Sequence, residues 1–423
     1  MALAPERPLR KLMAQEPPAR LLDISRLISR AGRTPTGVDR VERAYLAHLA
    51  RREAPLFLLS RLPGGHVLIA PPERDALAAR LSGAISWGTP DLAALLRPRR
   101  PRLMRRAESD LRRLAHARCG RGGLAAMLRR HLPAGSHYFN VGHVNLTHEV
   151  LGALSQAGMP AAVMIHDAIP LDFPQYQREG TPARFAAMLE RVRHHAGCVI
   201  YNSGHSRERA EFHMSRHGAL PPGLVAPLGI DPAVPDPRAL PAGLPPSRPY
   251  FVALGTIEPR KGHGLLLDVW DRLAADLTEP PMLLICGSRG WNNHDVFARL
   301  DRLGADAPVQ ELADLSDGAV AALLGGARAL LCPSRAEGLG LPAVEAAAMG
   351  TRIVCTDLPA RREVLGALPV YLPADDCYQW RDAVIRLTED RGAALECFPA
   401  PTWDDHFGLV LSCFCGGTDV SAW

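Results

Sequence analysis

The sequence predicts an α/β protein built from two domains of the nucleotide-binding type, and three observations carry that reading. Short apolar runs alternate with stretches of helical period along the first half of the chain. A proline-rich stretch, residues 221–249, breaks this rhythm, and the same alternation restarts after it. The length of 423 residues also exceeds what one compact core usually holds.

In the first half the expected strands are Leu56–Leu59, His66–Ala70, His137–Val141, Ala161–Ile165 and Cys198–Asn202, with helices at Val38–Arg51 and Arg184–His194. Alternation of this kind implies a parallel sheet with helices on both faces. After the connector, strands are expected at Tyr250–Leu254, Met282–Cys286, Val309–Leu312, Ala329–Cys332, Arg352–Thr356 and near Val370. Helices are expected at Leu265–Ala275, Asp295–Leu303, Asp317–Leu324, Leu341–Met349, beyond Tyr378, and from Trp403 to about Leu411. The domains are therefore set at 1–247 and 248–395, with 396–423 returning to the first.

Composition excludes several classes. Hydrophobic residues make up 47% and charged residues 22%, which rules out a disordered or collagen-like chain. No uncharged apolar run reaches the length of a spanning helix, and the opening MALAPERPLRKLMAQEPPAR is too charged for a secretory signal, so a cytoplasmic protein is expected. Nine cysteines without a Cys-x-x-Cys pair suggest reduced thiols, and no role is legible for Cys413 and Cys415. Neither an Asp-x-Asp nor any cluster with metal-ligand spacing occurs, so no metal is expected.

Charge is uneven. Between Arg97 and Arg130 twelve Arg face only Glu108 and Asp110, a local +10 in a chain of net +5. This segment reads either as a solvated face or as a patch that meets anionic lipid at the inner membrane face. Nucleic acid is disfavoured, because aromatic residues are only 5% of the chain. Of the 49 basic residues only Lys11 and Lys261 are lysine, which draws attention to Lys261.

Two segments carry chemistry. In PSRAEGLGLPAVEAAAMG, Glu337 and Glu345 lie eight apart, with Gly338, Gly340 and Pro342 at the start of a helix. Backbone N–H groups at a helix N-terminus suit a phosphate, while two carboxylates beside it suit the hydroxyls of a sugar. In GTIEPRKGH, which follows a strand, Arg260 and Lys261 offer a fork and a point charge suited to a diphosphate, though a solvated turn would look the same. In the first half, His166 and Asp167 follow the strand Ala161–Ile165, and His143 and Asn202–Ser203 sit at other strand ends, where loop capping is the alternative.

With these residues in view, the sequence resembles the retaining glycosyltransferases of family 4, above all bacterial polysaccharide mannosyl- and hexosyltransferases. The resemblance is strongest over Tyr250–Leu372, through "GTIEPRKG", "GSRGW", "LADLSD", "LLCPSRAEGLGLPAVEAAAMG" and "REVLG". It continues less densely through "TGVDRVERAYL", "FNVGH", "IHDAIPLDFPQY" and "YNSGHSRE". It implies the GT-B fold, two Rossmann-like domains facing across a cleft. It implies that Glu345 binds the ribose of a nucleotide-diphosphate sugar, that Glu337 faces the transferred sugar, and that the loop Gly338, Leu339, Gly340 and Leu341 lies along the donor. Arg260 and Lys261 would stabilise the leaving diphosphate. Thr256, after Gly255, stands where many relatives carry Arg, so Arg260 would supply that charge. Gly37, after Thr36, would form the glycine loop near acceptor and donor phosphate, and His166 and Asp167 would face the donor sugar.

The expected reaction is retaining hexosyl transfer, mannose first, with GDP-mannose as donor and no cofactor, onto a glycan or lipid-linked acceptor in cell-surface polysaccharide synthesis. The alternatives are a transferase acting on a small soluble acceptor and a non-catalytic protein that binds sugar nucleotide.

Overall fold

The computed structural model describes residues 16–304, 306–390 and 398–412; Lys11, Cys413 and Cys415 lie outside them. Two sheets organise the chain. The first contains β1 (Arg20–Asp23), β2 (Leu56–Leu62), β3 (Gly65–Ile69), β4 (Ala117–Gly120), β5 (His137–Asn140), β6 (Ala161–Ile165), β7 (Cys198–Tyr201) and β8 (Gly223–Val225). Their order is β4-β3-β2-β1-β5-β6-β7-β8. The second contains β9 (Tyr250–Leu254), β10 (Met282–Cys286), β11 (Val309–Leu312), β12 (Leu330–Cys332), β13 (Ile353–Thr356) and β14 (Val370–Leu372), in the order β11-β10-β9-β12-β13-β14.

The second sheet is parallel throughout. The first departs from the expected parallel sheet at one edge, where β2, β3 and β4 run antiparallel. Only Pro63 and Gly64 join β2 to β3, with Gly64 at φ 99, and two residues make a hairpin but cannot make a crossover. Three strands, β1, β4 and β8, come from stretches not read as strands. β1 has four buried residues behind a Pro17–Pro18 pair, and it lies centrally, with Leu22 opposite both Leu58 and Phe139. β8 arises inside the 221–249 connector, flanked by prolines, and closes the first sheet beside β7.

The helix Trp403–Leu411 belongs to the core of the first domain. Phe407 is fully buried there, edge-on to Tyr45 at 4.7 Å, and Tyr45 Oη lies 2.8 Å from His406 Nε2. A backbone bond from Ile230 N to Pro401 O (2.9 Å) ties this returning segment to the connector. The sequence itself leaves room for the approach, since a Cβ on Gly229 would stand 2.3 Å from the Trp403 nitrogen.

The basic segment folds as a helix (Arg102–Arg113), β4 and a second helix (Leu124–His131). Much of its charge is used internally. Arg100, Arg112 and Arg113 pair with Glu108, Asp91 and Asp110, while Arg106, Arg118 and Arg129 donate to the carbonyls of Gly88, Arg112 and Gln156. It is thus not one continuous cationic face from 97 to 130. Among the described residues, no helix is long and apolar enough to cross a membrane. Cys119, Cys286, Cys332, Cys355 and Cys377 are free, whereas Cys198 is disulfide-bonded, a departure from the expected reduced thiols.

Candidate active site

The segments singled out in the second domain lie beside one another because β9 and β12 are neighbours in the sheet and both end at the same edge. β9 leads into Gly255, whose φ of 131 favours glycine, and then into the single turn Pro259–Lys261. β12 leads into the loop Pro333–Gly340, which ends with Gly340 in the left-handed region (φ 80) at the start of the helix Leu341–Ala348. Gly262 fits under this loop, since a Cβ there would lie 2.3 Å from the Pro333 carbonyl oxygen.

Glu337 is the centre of the cluster. Lys261 Nζ donates to its Oε1 at 2.6 Å, Arg260 Nη1 to its Oε2 at 2.9 Å, and Arg361 Nη2 stands 3.8 Å from Oε1. Arg260 also reaches Glu258 Oε1 at 2.7 Å and the Ala336 carbonyl at 2.9 Å. Burial alone would push the Glu337 carboxyl up, but Lys261, Arg260 and Arg361 outweigh it and hold the group far below the usual carboxylate range. Burial pushes Glu258 up, against the pull of Arg260 and Lys261.

Glu337, expected to face sugar hydroxyls, and Arg260 and Lys261, expected to face a diphosphate, close on one another. Opposite charges converging in a half-buried loop attract more strongly than each attracts water-exposed partners. The contacts above use Nε and Nη1 of Arg260 and one of the three protons of Lys261, which leaves both cations donors to offer a ligand.

Glu345 sits apart, inside the helix, and pairs with Arg40 of the first domain at 2.6 Å. Burial raises its pKa and Arg40 lowers it, with a net upward shift. Leu339 and Leu341 are not donor-facing side chains: Leu339 is buried in the first domain's core, and Leu341 packs against the cores of both domains. What these two positions can offer a donor is backbone. Gly37 starts the helix Gly37–Leu49, where Thr36 and Asp39 form a capping box, and a Cβ on it would lie 3.2 Å from Leu341 Cδ1. Thr256 packs beside Gly290, where a Cβ would come within 2.7 Å of its methyl.

His166 and Asp167 follow β6 and meet the second domain through Gly338. A Cβ on Gly338 would stand 2.3 Å from the His166 carbonyl oxygen and 3.1 Å from Asp167 Cβ. We expect Gly338→Ala to keep the melting temperature of each domain within a few degrees while lowering turnover at least about tenfold, because the domains cannot close to this distance. Steady-state kinetics beside a melting curve checks this.

Burial, countered by the Val141 carbonyl on Nε2 (2.7 Å), brings His166 down to about 4. Burial and the neighbouring His166 bring His143 to about 3, with its Nε2 on the Met164 carbonyl at 2.8 Å. Since a carbonyl only accepts, Nε2 carries the proton on both neutral rings. Asp167 is pushed up by burial, against Arg260, and its Oδ1 accepts from Ile169 N at 3.0 Å.

The depressed His166 pKa makes stability depend on pH. Above pH 6.5 the ring is neutral whether the chain is folded or not, so it makes no difference to stability there. As pH falls toward 4 only the unfolded ring takes up a proton, and stability drops by up to roughly 3 kcal/mol. His166→Asn should therefore lose melting temperature less steeply than the parent between pH 6.5 and 4.5, and the His166 ring should not titrate by NMR above about pH 5.

Arg361, Ser206, Glu363 and Trp291 were not singled out in the sequence, whereas Ser203 and Asn202 were. Arg361, 1% exposed, joins Glu337 to the Cys332 carbonyl (2.8 Å). Ser203 caps the helix Gly204–Ser215, and Ser203 and Ser206 both donate to the Gly338 carbonyl, at 3.2 and 3.3 Å. Glu363 accepts from Gly204 N (2.6 Å) and His205 N (3.1 Å) at that helix's N-terminus, a favourable place for a carboxylate. Trp291 donates to the Tyr176 carbonyl at 2.9 Å, a further strap between the domains. Asn202, at the end of β7 beside Ser203, is 3% exposed with its Oδ1 unpaired. Among the described residues, no group of three or more His, Cys, Asp or Glu is placed to hold a metal ion.

Residues 241–400 match the family of glycosyl transferases group 1. The chain is 30% identical over 229 residues to the serotype-specific mannosyltransferase WbdA of Escherichia coli, a stretch covering 51% of this chain and 28% of that protein. It is 28% identical over 142 residues to the O-antigen chain mannosyltransferase RfbU of Salmonella typhimurium, covering 32% and 37%. The matched stretches thus span only about a third of these relatives. Among solved structures, Anabaena HepE in complex with UDP and glucose superposes with a TM-score of 0.58 at 15% identity, covering 88% of this chain and 90% of that one. The chain therefore has the GT-B fold, matches glycosyl transferases group 1 over residues 241–400, and resembles the polysaccharide mannosyltransferases.

Proposed function

We propose that the protein transfers a hexose, mannose in the first instance, from a nucleotide-diphosphate sugar to a glycan or lipid-linked acceptor in cell-surface polysaccharide synthesis. The observation that carries this reading is the convergence of Lys261, Arg260 and Arg361 on the loop that opens the helix Leu341–Ala348, facing His166 and Asp167 across the cleft. Charge builds on the leaving diphosphate as the sugar–phosphate bond breaks. Fixed cations and helix N-terminal amides stabilise that charge without a metal ion.

On this reading the donor diphosphate takes N–H groups of Arg260 and Lys261, and Glu345 exchanges Arg40 for ribose hydroxyls. Retention of configuration follows if the acceptor hydroxyl attacks from the face the phosphate leaves, with the departing phosphate taking the proton. His166, neutral and held by the Val141 carbonyl, then serves as a positioned polar group and not as a base. The work lies in positioning and electrostatics.

The test is a thermal-shift panel of GDP-mannose, UDP-glucose and other nucleotide-diphosphate sugars with EDTA present. GDP-mannose should raise the melting temperature, and Glu345→Ala should reduce that rise by weakening ribose binding. A shift that vanishes with EDTA would overturn metal independence. A shift without transfer to any lipid-linked or soluble saccharide would favour the binding-protein alternative.

A further inference from the structure

One surface of the first domain is not used by the donor site. The short helix Leu92–Leu95 and the turn after it expose Leu92 (82%), Leu96 (83%) and Leu95 (55%), with Ile85 and Leu103 partly exposed nearby. Exposed Arg97, Arg99 and Arg102 follow these leucines along the chain. Such a concentration of apolar side chains in water is unfavourable unless something covers it.

The segment is held firmly in this outward pose. Asp91 caps the helix by accepting from Ala94 N (2.9 Å), and Arg112 grips the Asp91 carboxylate with two bonds of 2.6 and 2.7 Å. Ser109 Oγ accepts from Asp91 N, Arg106 and Arg113 donate to the carbonyls of Gly88 and Thr89, and Asp110 accepts from Gly88 N. Ala94 alone of the helix is buried, at 1%. Arg106, Arg112 and Arg113 therefore fix the loop and Arg100 pairs with Glu108, while Arg97, Arg99 and Arg102 remain exposed.

The position of this surface is also informative. Leu103 packs on Gly32, where a Cβ would stand 2.4 Å from Leu103 Cδ1. Gly32 belongs to the loop that leads to Thr36 and Gly37, and in that loop Thr34 Oγ1 donates to Asp314 Oδ1 of the second domain at 2.6 Å. Leu103, on the helix that holds the Asp91 loop, thus packs beside a loop that reaches the second domain.

We propose that Leu92, Leu95 and Leu96, together with the exposed Arg97, Arg99 and Arg102 that follow them, form a docking surface for an anionic lipid bilayer. Apolar side chains that enter the acyl boundary beside cations that meet lipid headgroups are the pairing that interfacial attachment requires. This replaces the broad 97–130 patch with a compact one. The surface stands on its own observations; that it brings a lipid-linked acceptor to the cleft rests on the transferase reading.

The experiment is co-sedimentation of the full chain with vesicles of phosphatidylcholine alone or with about one third phosphatidylglycerol. The protein should bind the anionic vesicles, bind the neutral ones far less, and detach as salt rises. Leu92→Asp with Leu96→Asp should lower binding at least about tenfold, and Arg99→Gln with Arg102→Gln should remove the preference for anionic lipid. Donor-induced thermal shift, measured on the same samples, should be unchanged, which separates this proposal from the donor-site reading. Leu96→Trp guards against misfolded variants: its added indole emission should shift to the blue and be quenched by brominated lipid. Equal binding by the double Asp variant and the parent, or an added indole that vesicles leave unquenched, overturns the proposal. So does a parent that ignores vesicles but forms an oligomer the double Asp variant does not, which would assign the surface to a second copy of the chain.

Discussion

Glu337→Gln should both destabilise the second domain and abolish most turnover. In the parent this one carboxylate answers the charges of Lys261, Arg260 and Arg361. The amide keeps the shape and removes the charge, leaving Lys261 and Arg361 in a largely buried loop without this carboxylate and Arg260 with Glu258 alone. Removing one partner of a buried charge cluster costs about 3–5 kcal/mol, which lowers a domain's melting temperature by roughly 5–15 °C. Turnover should fall at least about a hundredfold, because the cations would no longer be held in place. Pyrophosphate or a nucleotide diphosphate should restore the melting temperature of the variant more than it raises that of the parent, since the anion replaces the missing charge. Calorimetry with and without pyrophosphate decides this, and a variant that melts with the parent would show that the cluster is held together by something other than charge.

Lys261→Ala should lower kcat by about a hundred- to a thousandfold, the effect of deleting one donor aimed at charge that develops in the transition state. The KM for the donor should change far less, since on the proposed reading the ribose is held by Glu345, away from Lys261. Lys261 gives a cleaner test than Arg260. Its ammonium pairs with Glu337, which Arg260 continues to hold, whereas loss of Arg260 also strips Glu258, whose Oε2 is already buried without a hydrogen-bond partner. Steady-state kinetics on the two variants, with melting curves beside them, should show a turnover loss without much destabilisation for Lys261→Ala and both losses together for Arg260→Ala. Equal kcat in Lys261→Ala and the parent would remove Lys261 from the reaction.

The parallel second sheet was the most legible part of the fold. Its four central strands are short, apolar and buried on both faces, so each stands out between amphipathic helices. The first sheet was less so. β1 is too short to show a period, and the antiparallel turn at β2 and β3 depends on two residues, Pro63 and Gly64, that also suit an ordinary loop. Arg361 went unseen because arginine is nearly the only cation in this chain, so its presence in PARREVLG carried no signal. Lys261, one of two lysines, did.

By itself the sequence determined most of the segments that alternate as strand and helix, and which glycines, carboxylates and cations gather after β9 and β12. These are local properties: apolar period, proline breaks, and turn residues at fixed offsets from a strand end. Only the tertiary structure decided that Glu337 closes on Lys261, Arg260 and Arg361, that Arg40 holds Glu345 from the other domain, and that Leu339 is a bolt between cores. Those outcomes depend on which charges and surfaces are brought within a few ångströms and out of water, and neither distance nor burial across a domain boundary is written in local spacing.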